Sequence, residues 1–206
     1  GKFIKKNDLY FAFPCEKNQL TANDFSKYLN IKSKKNINKD QAINYKNCDI
    51  FNSREILTKI LERVKKFLKK TKIDYPKNKS LELSHHYGMK NFDKYGLSMI
   101  TYVNREYCKK MLILLPGQSH PTQYHKIKEE TFNLIYGEVE LKLDSVKKKY
   151  KSGDIVTIKP FTRHSFFSSK GCIIEELSTK HLKSDSYYLD SKIVKNKDRK
   201  TILNYW

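Results

Sequence analysis

The clearest periodicity along the chain is helical and lies in SREILTKILERVKKFLKK. Ile56, Leu57, Ile60, Leu61, Val64, Phe67 and Leu68 recur at spacings of three and four, which sets them on one face of an amphipathic helix. Ser53 or Asn52 can cap its start, and Glu55 sits in its first turn. Lys65, Lys66, Lys69 and Lys70 crowd its last turns, where cations favour the helix dipole. An apolar stripe of this size has to be buried against the rest of the chain or a second copy of it. The sequence therefore predicts a homodimer, with the helix or an edge strand in its interface.

Past Pro76 and the polar PKNKS the pattern changes to short runs rich in β-branched and aromatic residues. LSMITYVN, KKMLILLP, ETFNLIYG, HSFFSS and CIIEEL read as strands. Upstream of the helix, KFIKKNDLYFAFPC reads as short strands broken by Asn7-Asp8 and Pro14. Thr21 and Asp24 give a capping-box-like start to a short helix, ANDFSKYL, and NINKDQAINYKNCDIF follows as turn and strand. Three parts result: a small unit over residues 1–51, a connecting helix over 52–75, and a mainly β domain over 76–206. The segment beyond Ser178 is expected to wrap that domain and close one mouth of it.

Composition narrows the function classes. A net charge of +20 invites a nucleic-acid reading. Only five of the 42 basic residues are arginine, however, and base readout and bidentate phosphate contacts favour arginine. The lysines are spread along the chain together with Asn and Ile, as an A/T-rich coding sequence produces. No nucleic-acid partner is expected. A mean hydropathy of -0.72 and the lack of an 18-residue apolar run predict no transmembrane helix, and no secretory signal is visible. Cys15, Cys48, Cys108 and Cys172 have no CxxC spacing and read as buried free thiols of a cytoplasmic protein. The chain opens at Gly1 without Met, as a fragment of a longer protein would.

The candidate chemistry lies in GQSHPTQYHKIKEETFNLIYG. Gly117 is followed by five residues, then Gln123, Tyr124 and His125; four more lead to Glu130 and six more to Gly137. This spacing, with Gly153-DIVTI-KPF-TR-His164 downstream, resembles the two motifs of the cupin family. That resemblance implies a double-stranded β-helix (jelly-roll) barrel with a metal inside, held by Gln123, His125, Glu130 and His164. Alternation along a strand turns Gln123 and His125 the same way, and Glu130 and His164 each open a later strand, so the four can converge. Imidazole and carboxylate suit Mn, Fe, Co, Ni or Zn without choosing among them. Gln123 stands where the motif has a histidine, which predicts weaker metal affinity or a more open coordination sphere. His120 is an alternative ligand, on the other strand face unless a bulge intervenes. His85 and His86 read as an exposed or hydrogen-bonded pair. Alternation also sends either Glu175 or Glu176 inward, as a general base or the partner of a lysine. Lys128 or Arg163, close to the ligand segments along the chain, can hold a phosphate or carboxylate of a substrate.

QLTANDFSKYL and NINKDQAINYKNCDI, over about residues 1–50, resemble the SAF (antifreeze-like) β-clip domain of sialic acid synthases. Phe13 stands here where that family has a substrate-binding arginine before the proline. The order SAF-like domain, helix, cupin is similar to the C-terminal part of nonulosonic-acid synthase-type proteins, and the cupin part is similar to metal-dependent sugar isomerases. The resemblance implies a sugar or sugar phosphate as partner and a synthase catalytic barrel N-terminal to this chain. Two functions follow: a metal-dependent sugar isomerase or epimerase acting on an open-chain sugar, and a non-catalytic sugar-binding or dimerisation module.

Overall fold

The structure is a computed structural model and describes residues 1–26 and 28–206. The chain divides into two compact units, Gly1–Lys59 and Ile60–Trp206. The first holds a three-stranded antiparallel sheet in the order β1 (Phe3–Ile4), β2 (Leu29–Ser33), β3 (Cys48–Asn52). A cleft of about 590 Å³ beside it is lined by Phe3, Tyr10, Phe11, Phe25 and Ile43 among others, and by none of the candidate site residues.

The helix expected over ANDFSKYL does not form. The Thr21 N–H and hydroxyl both donate to Asp24 Oδ2 at 2.8 Å, but the chain continues only as a turn over residues 22–24. Nucleating a helix fixes three residues for one hydrogen bond, and too few residues remain before β2 to repay that cost. Lys27, inside this stretch, lies outside the described residues.

The periodic helix forms as α1 (Arg54–Thr71), with Asn52 Oδ1 accepting the Arg54 N–H at 2.9 Å. Leu57, Ile60, Val64, Phe67 and Leu68 are buried and Ile56 and Leu61 half-buried within the single chain. The stripe is therefore covered within the single chain. None of the described helices is long and apolar enough to cross a membrane.

The second unit is built on β4 (Leu81–His85), β5 (Gly96–Asn104), β6 (Tyr107–Leu114), β7 (Gln118–Tyr124), β8 (Glu130–Leu143), β9 (Val146–Lys151), β10 (Ile155–Ile158), β11 (His164–Ser168), β12 (Cys172–Thr179), β13 (Tyr187–Tyr188) and β14 (Lys200–Leu203). Short helices α2 (Phe92–Tyr95) and α3 (Ser191–Lys195) interrupt it. The strands run in the order β13-β7-β11-β8-β12-β6-β5-β4-β14, with β9 and β10 also on β8. Strand β8 therefore serves two surfaces: Glu130–Asn133 pair with β10 and Glu138–Leu143 with β9. Gly137 stands between these halves at φ 76, where a Cβ would lie 2.5 Å from the Gly171 carbonyl oxygen. Only glycine fits there, and the bend it permits curls the sheet into a barrel.

Inside the barrel one end is apolar and the other polar. Leu112, Leu114, Leu134, Leu141, Phe166, Cys172 and Ile174 form the buried core. Two residues along β12, Ile174 gives way to Glu176, which pairs with Lys110 of β6 and Phe132 of β8, and Ser178 pairs with Glu130. Three cysteines are buried as expected; Cys15 is exposed, and all four are free thiols.

Candidate metal centre

The polar end is assembled by strand ends. Gln123 is the inward residue near the end of β7, His125 follows that strand, Glu130 opens β8, and His164 opens β11 directly beside Gln123. A step of two along β11, from His164 to Phe166, is matched by three along β7, from Gln123 to His120. This is a β-bulge at Pro121-Thr122, and proline, which cannot donate to a ladder, is at home in one. The bulge turns His120 inward: its ring stacks on Phe166 at 4.5 Å and meets His86 edge-on at 4.8 Å. His120 thus lies next to the cluster but is not one of the groups that close on a common point.

Those groups are His125, Glu130 and His164, all buried, with one ligand atom from each within 4.8 Å of the others. His125 Nε2 lies 3.5 Å from Glu130 Oε1, and His164 Nε2 lies 3.3 Å from Glu130 Oε2. Donor atoms at about 2.0–2.2 Å from one divalent ion stand about 3.0–3.5 Å apart at tetrahedral or octahedral angles, so these separations suit one ion. Second contacts fix the tautomers. His125 Nδ1–H donates to the Asp185 carbonyl and His164 Nδ1–H to the Thr162 carbonyl at 3.1 Å, leaving both Nε2 lone pairs turned to the carboxylate. Burial holds His164 below the ordinary histidine value even with Glu130 beside it. Burial opposes ionisation of Glu130, but the Lys128 ammonium beside it overcomes that and holds the carboxyl well below its usual range. Lone pairs therefore face lone pairs, and His125 Nε2 and Glu130 Oε2 are buried with no hydrogen-bond partner. Each such orphan costs about 1–3 kcal/mol, a debt that a cation between them cancels. The residues fit a divalent metal ion. Gln123 Nε2 lies 3.2 Å from His164 Nε2, and rotation of its amide by half a turn brings the oxygen to the same place.

A second set of charges adjoins the first. Lys128, 3% exposed, pairs with Glu130 Oε1 and reaches Glu176 Oε1 at 3.1 Å. Burial alone would push its ammonium down, but Glu176 and Glu130 outweigh that and raise it. Glu176 is thus the inward carboxylate of β12. It also accepts from Ser178 Oγ at 3.2 Å and has Lys110 Nζ at 3.8 Å. Glu175 points to the other face, where its pair with Lys109 at 2.6 Å keeps it out of the site. Arg163 is likewise outside it: the residue before an inward histidine faces away, so its side chain is exposed while its backbone N–H binds Asp144.

Two participants escape the reading of the sequence in different ways. Lys110 was legible, since period two from Leu112 and Leu114 carries it inward. Asp185 was not. Its carboxylate accepts the backbone N–H groups of Lys126, Ile127 and Lys128 at 2.8 to 3.3 Å, contacts that no local pattern announces. The tail does wrap the barrel: β13 pairs with β7 at Tyr124 and Gln123, and Tyr188 Oη lies 3.1 Å from His86 Nε2. His85 and His86 are a buried, hydrogen-bonded pair, to Thr201 and to the Tyr95 carbonyl.

Residues 110–171 match the family model described as Cupin domain. A D-lyxose/D-mannose isomerase of Thermosediminibacter oceani is 29% identical over 164 residues, covering 65% of this chain and 91% of that protein. A D-lyxose ketol-isomerase of a Thermofilum species is 29% identical over 128 residues, 48% of this chain and 71% of that protein. Among solved structures, an L-ribose isomerase of Cellulomonas parahominis with L-ribose superposes with a TM-score of 0.54 at 12% identity, covering 68% of this chain and 93% of that one. At that identity the likeness speaks for the fold alone. The chain thus carries a mainly β cupin fold and has sugar isomerases among its relatives.

Proposed function

We propose that the chain is a metal-dependent sugar isomerase that interconverts an open-chain aldose and its ketose. The observation that carries this reading is the buried Lys128–Glu176 pair beside the His125–Glu130–His164 cluster. Relatives named for D-lyxose and D-mannose support the substrate class.

His125, Glu130 and His164, with Gln123 as a neutral fourth group, would hold one divalent ion. When bound, the ion supplies Lewis-acid polarisation of the sugar's carbonyl and adjacent hydroxyl. The remaining work falls to the protein. Glu176 takes the proton from C2, and the electrons of that C–H bond become the C1–C2 double bond of an enediolate. Return of that proton to C1, with transfer of the C2 hydroxyl proton to O1, gives the ketose. Lys128 orients Glu176 and donates hydrogen bonds to the oxygen on which negative charge develops. Lys110 supports the same carboxylate from β6.

Protein purified without chelator, analysed for metals and offered D-lyxose, D-mannose, L-ribose and their phosphates, tests this. Ketose formation, with solvent deuterium entering the product at C1, is the expected result. No turnover of any of these by metal-loaded protein overturns it.

A second reading, a non-catalytic sugar-binding module, is favoured by Gln123 in place of an imidazole and by the hold of Lys128 on Glu130. Sugar binding without deuterium exchange would select it. The likeness of residues 1–50 to the antifreeze-like domain supports a wider context, a nonulosonic-acid synthase-type protein whose catalytic barrel lies outside these 206 residues. On that reading this chain alone forms no sugar acid from phosphoenolpyruvate and an aminosugar.

A further inference from the structure

We infer that Asp185 is the positioning residue of the metal centre: it clamps the turn after His125, and so fixes which nitrogen that histidine offers. The inference deepens the metal-site reading above and rests on it for its affinity arm only. Three observations carry it. Asp185 is 3% exposed, so its carboxylate is removed from water and depends on the protein for partners. It finds them in three successive backbone N–H groups: Oδ1 accepts from Lys126 at 2.8 Å and Ile127 at 3.3 Å, and Oδ2 from Ile127 at 3.1 Å and Lys128 at 2.9 Å. Successive N–H groups turned to one point form an anion-binding nest, here filled by the protein's own side chain. The same residue's carbonyl oxygen accepts from His125 Nδ1–H.

The two contacts act together. The nest ties residues 126–128 to position 185, and this registration keeps the 185 carbonyl against the imidazole edge. With the proton pinned on Nδ1, Nε2 is left as a lone pair toward Glu130. The clamped turn also ends at Lys128, so the same carboxylate sets where the ammonium between Glu130 and Glu176 begins. Neighbouring tail contacts hold the strand above, through Tyr187 and Tyr188 on Tyr124 and Gln123 and through the Leu189 N–H to the Thr122 carbonyl at 3.2 Å. Asp185 is where the tail reaches the imidazole of His125. Asp190, by contrast, caps α3 through the Lys192 N–H and accepts from Tyr87 Oη, so it ties down the tail without touching the centre.

The test uses the full chain with Asp185→Ala, Asp185→Asn and, as a tail-packing control, Asp190→Asn. Mn²⁺ and Co²⁺ binding to chelator-stripped protein is measured by calorimetry, and the ring ¹⁵N shifts of His125 report its tautomer. The expected result is a loss of roughly ten- to a hundred-fold in affinity for Asp185→Ala, less for Asp185→Asn, which keeps one acceptor, and under twofold for Asp190→Asn. His125 is expected to carry its proton on Nδ1 in wild type and to become a tautomer mixture in Asp185→Ala. Unchanged affinity and tautomer in folded Asp185→Ala overturns the inference. If that variant does not fold, a wild-type His125 protonated on Nε2 overturns it equally. A wild-type protein that binds neither ion, yet shows the expected tautomers, would end the metal reading and leave the clamp standing.

Discussion

Lys128 and Glu176 meet at 3.1 Å inside the barrel, although one ends a turn and the other belongs to a strand forty-eight residues later. Each is 3% exposed, and each has a second charged neighbour, Glu130 for the lysine and Lys110 for the glutamate. A buried pair of this kind is weak evidence for stability, because removing two charges from water costs about as much as their attraction returns. In the proposed isomerase, its position beside three converging ligands gives it a use in proton transfer.

Replacing Glu176 by Gln keeps the shape and removes the base. Turnover is expected to fall by roughly 10²–10⁴-fold, with metal affinity changed only a few-fold. Metal titration and kinetics on the same preparation separate the two effects; an active Glu176→Gln variant would remove Glu176 from the mechanism.

Gln123→His restores a full set of strong donors at the end of β7. Affinity for a divalent transition ion is expected to rise by about tenfold or more, which corresponds to about 1.4 kcal/mol. Competition against a chelator of known affinity measures it, and equal affinities would show that position 123 does not face the ion.

Arg163 is exposed and turned from the centre. Arg163→Ala is expected to leave KM and kcat within twofold for neutral and phosphorylated sugars alike. A selective loss with the phosphates would bring this side chain back to the site.

Phe161 has φ 67, a conformation that a bulky residue adopts only under strain, and its N–H binds the His125 carbonyl at 2.6 Å. Phe161→Gly should relieve the strain, raising stability by about 1 kcal/mol and the melting temperature by about 2–4 °C. Calorimetric melting decides, and a lower melting point would mean that the phenyl ring contributes more than the strain costs.

Acid should weaken the fold through His86, which burial, with nearby Arg199, Lys200 and His85, depresses to about 4. The unfolded chain binds that proton at about 6.5, so between these values it holds more protons than the native state and stability falls as pH falls. The contribution is intact above about 6.5, and about 2–3 kcal/mol of it is lost by pH 4.5. Urea midpoints at pH 7, 5.5 and 4.5, compared with His86→Gln, check this: the variant should show a flatter decline, and parallel curves would assign the acid sensitivity elsewhere.

The sequence by itself determined the helix Arg54–Thr71, the barrel strands and the convergence of His125, Glu130 and His164, because periods of 3.6 and two decide which side chains share a face, and the glycine spacings decide where the chain bends. It left open whether Glu175 or Glu176 faces inward and whether His120 does. These depended on ladder register and on a bulge at Pro121-Thr122, which exist only once β7, β11 and β12 have found their partners. It placed Arg163 beside the ligand segments, where the side chain stands exposed, and it failed at ANDFSKYL, where a good cap had no helix to follow it. The role of Asp185 was decided by tertiary structure alone. A carboxylate sixty residues beyond His125 carries no local pattern, and only the wrapping of the tail over the turn brings three N–H groups to it.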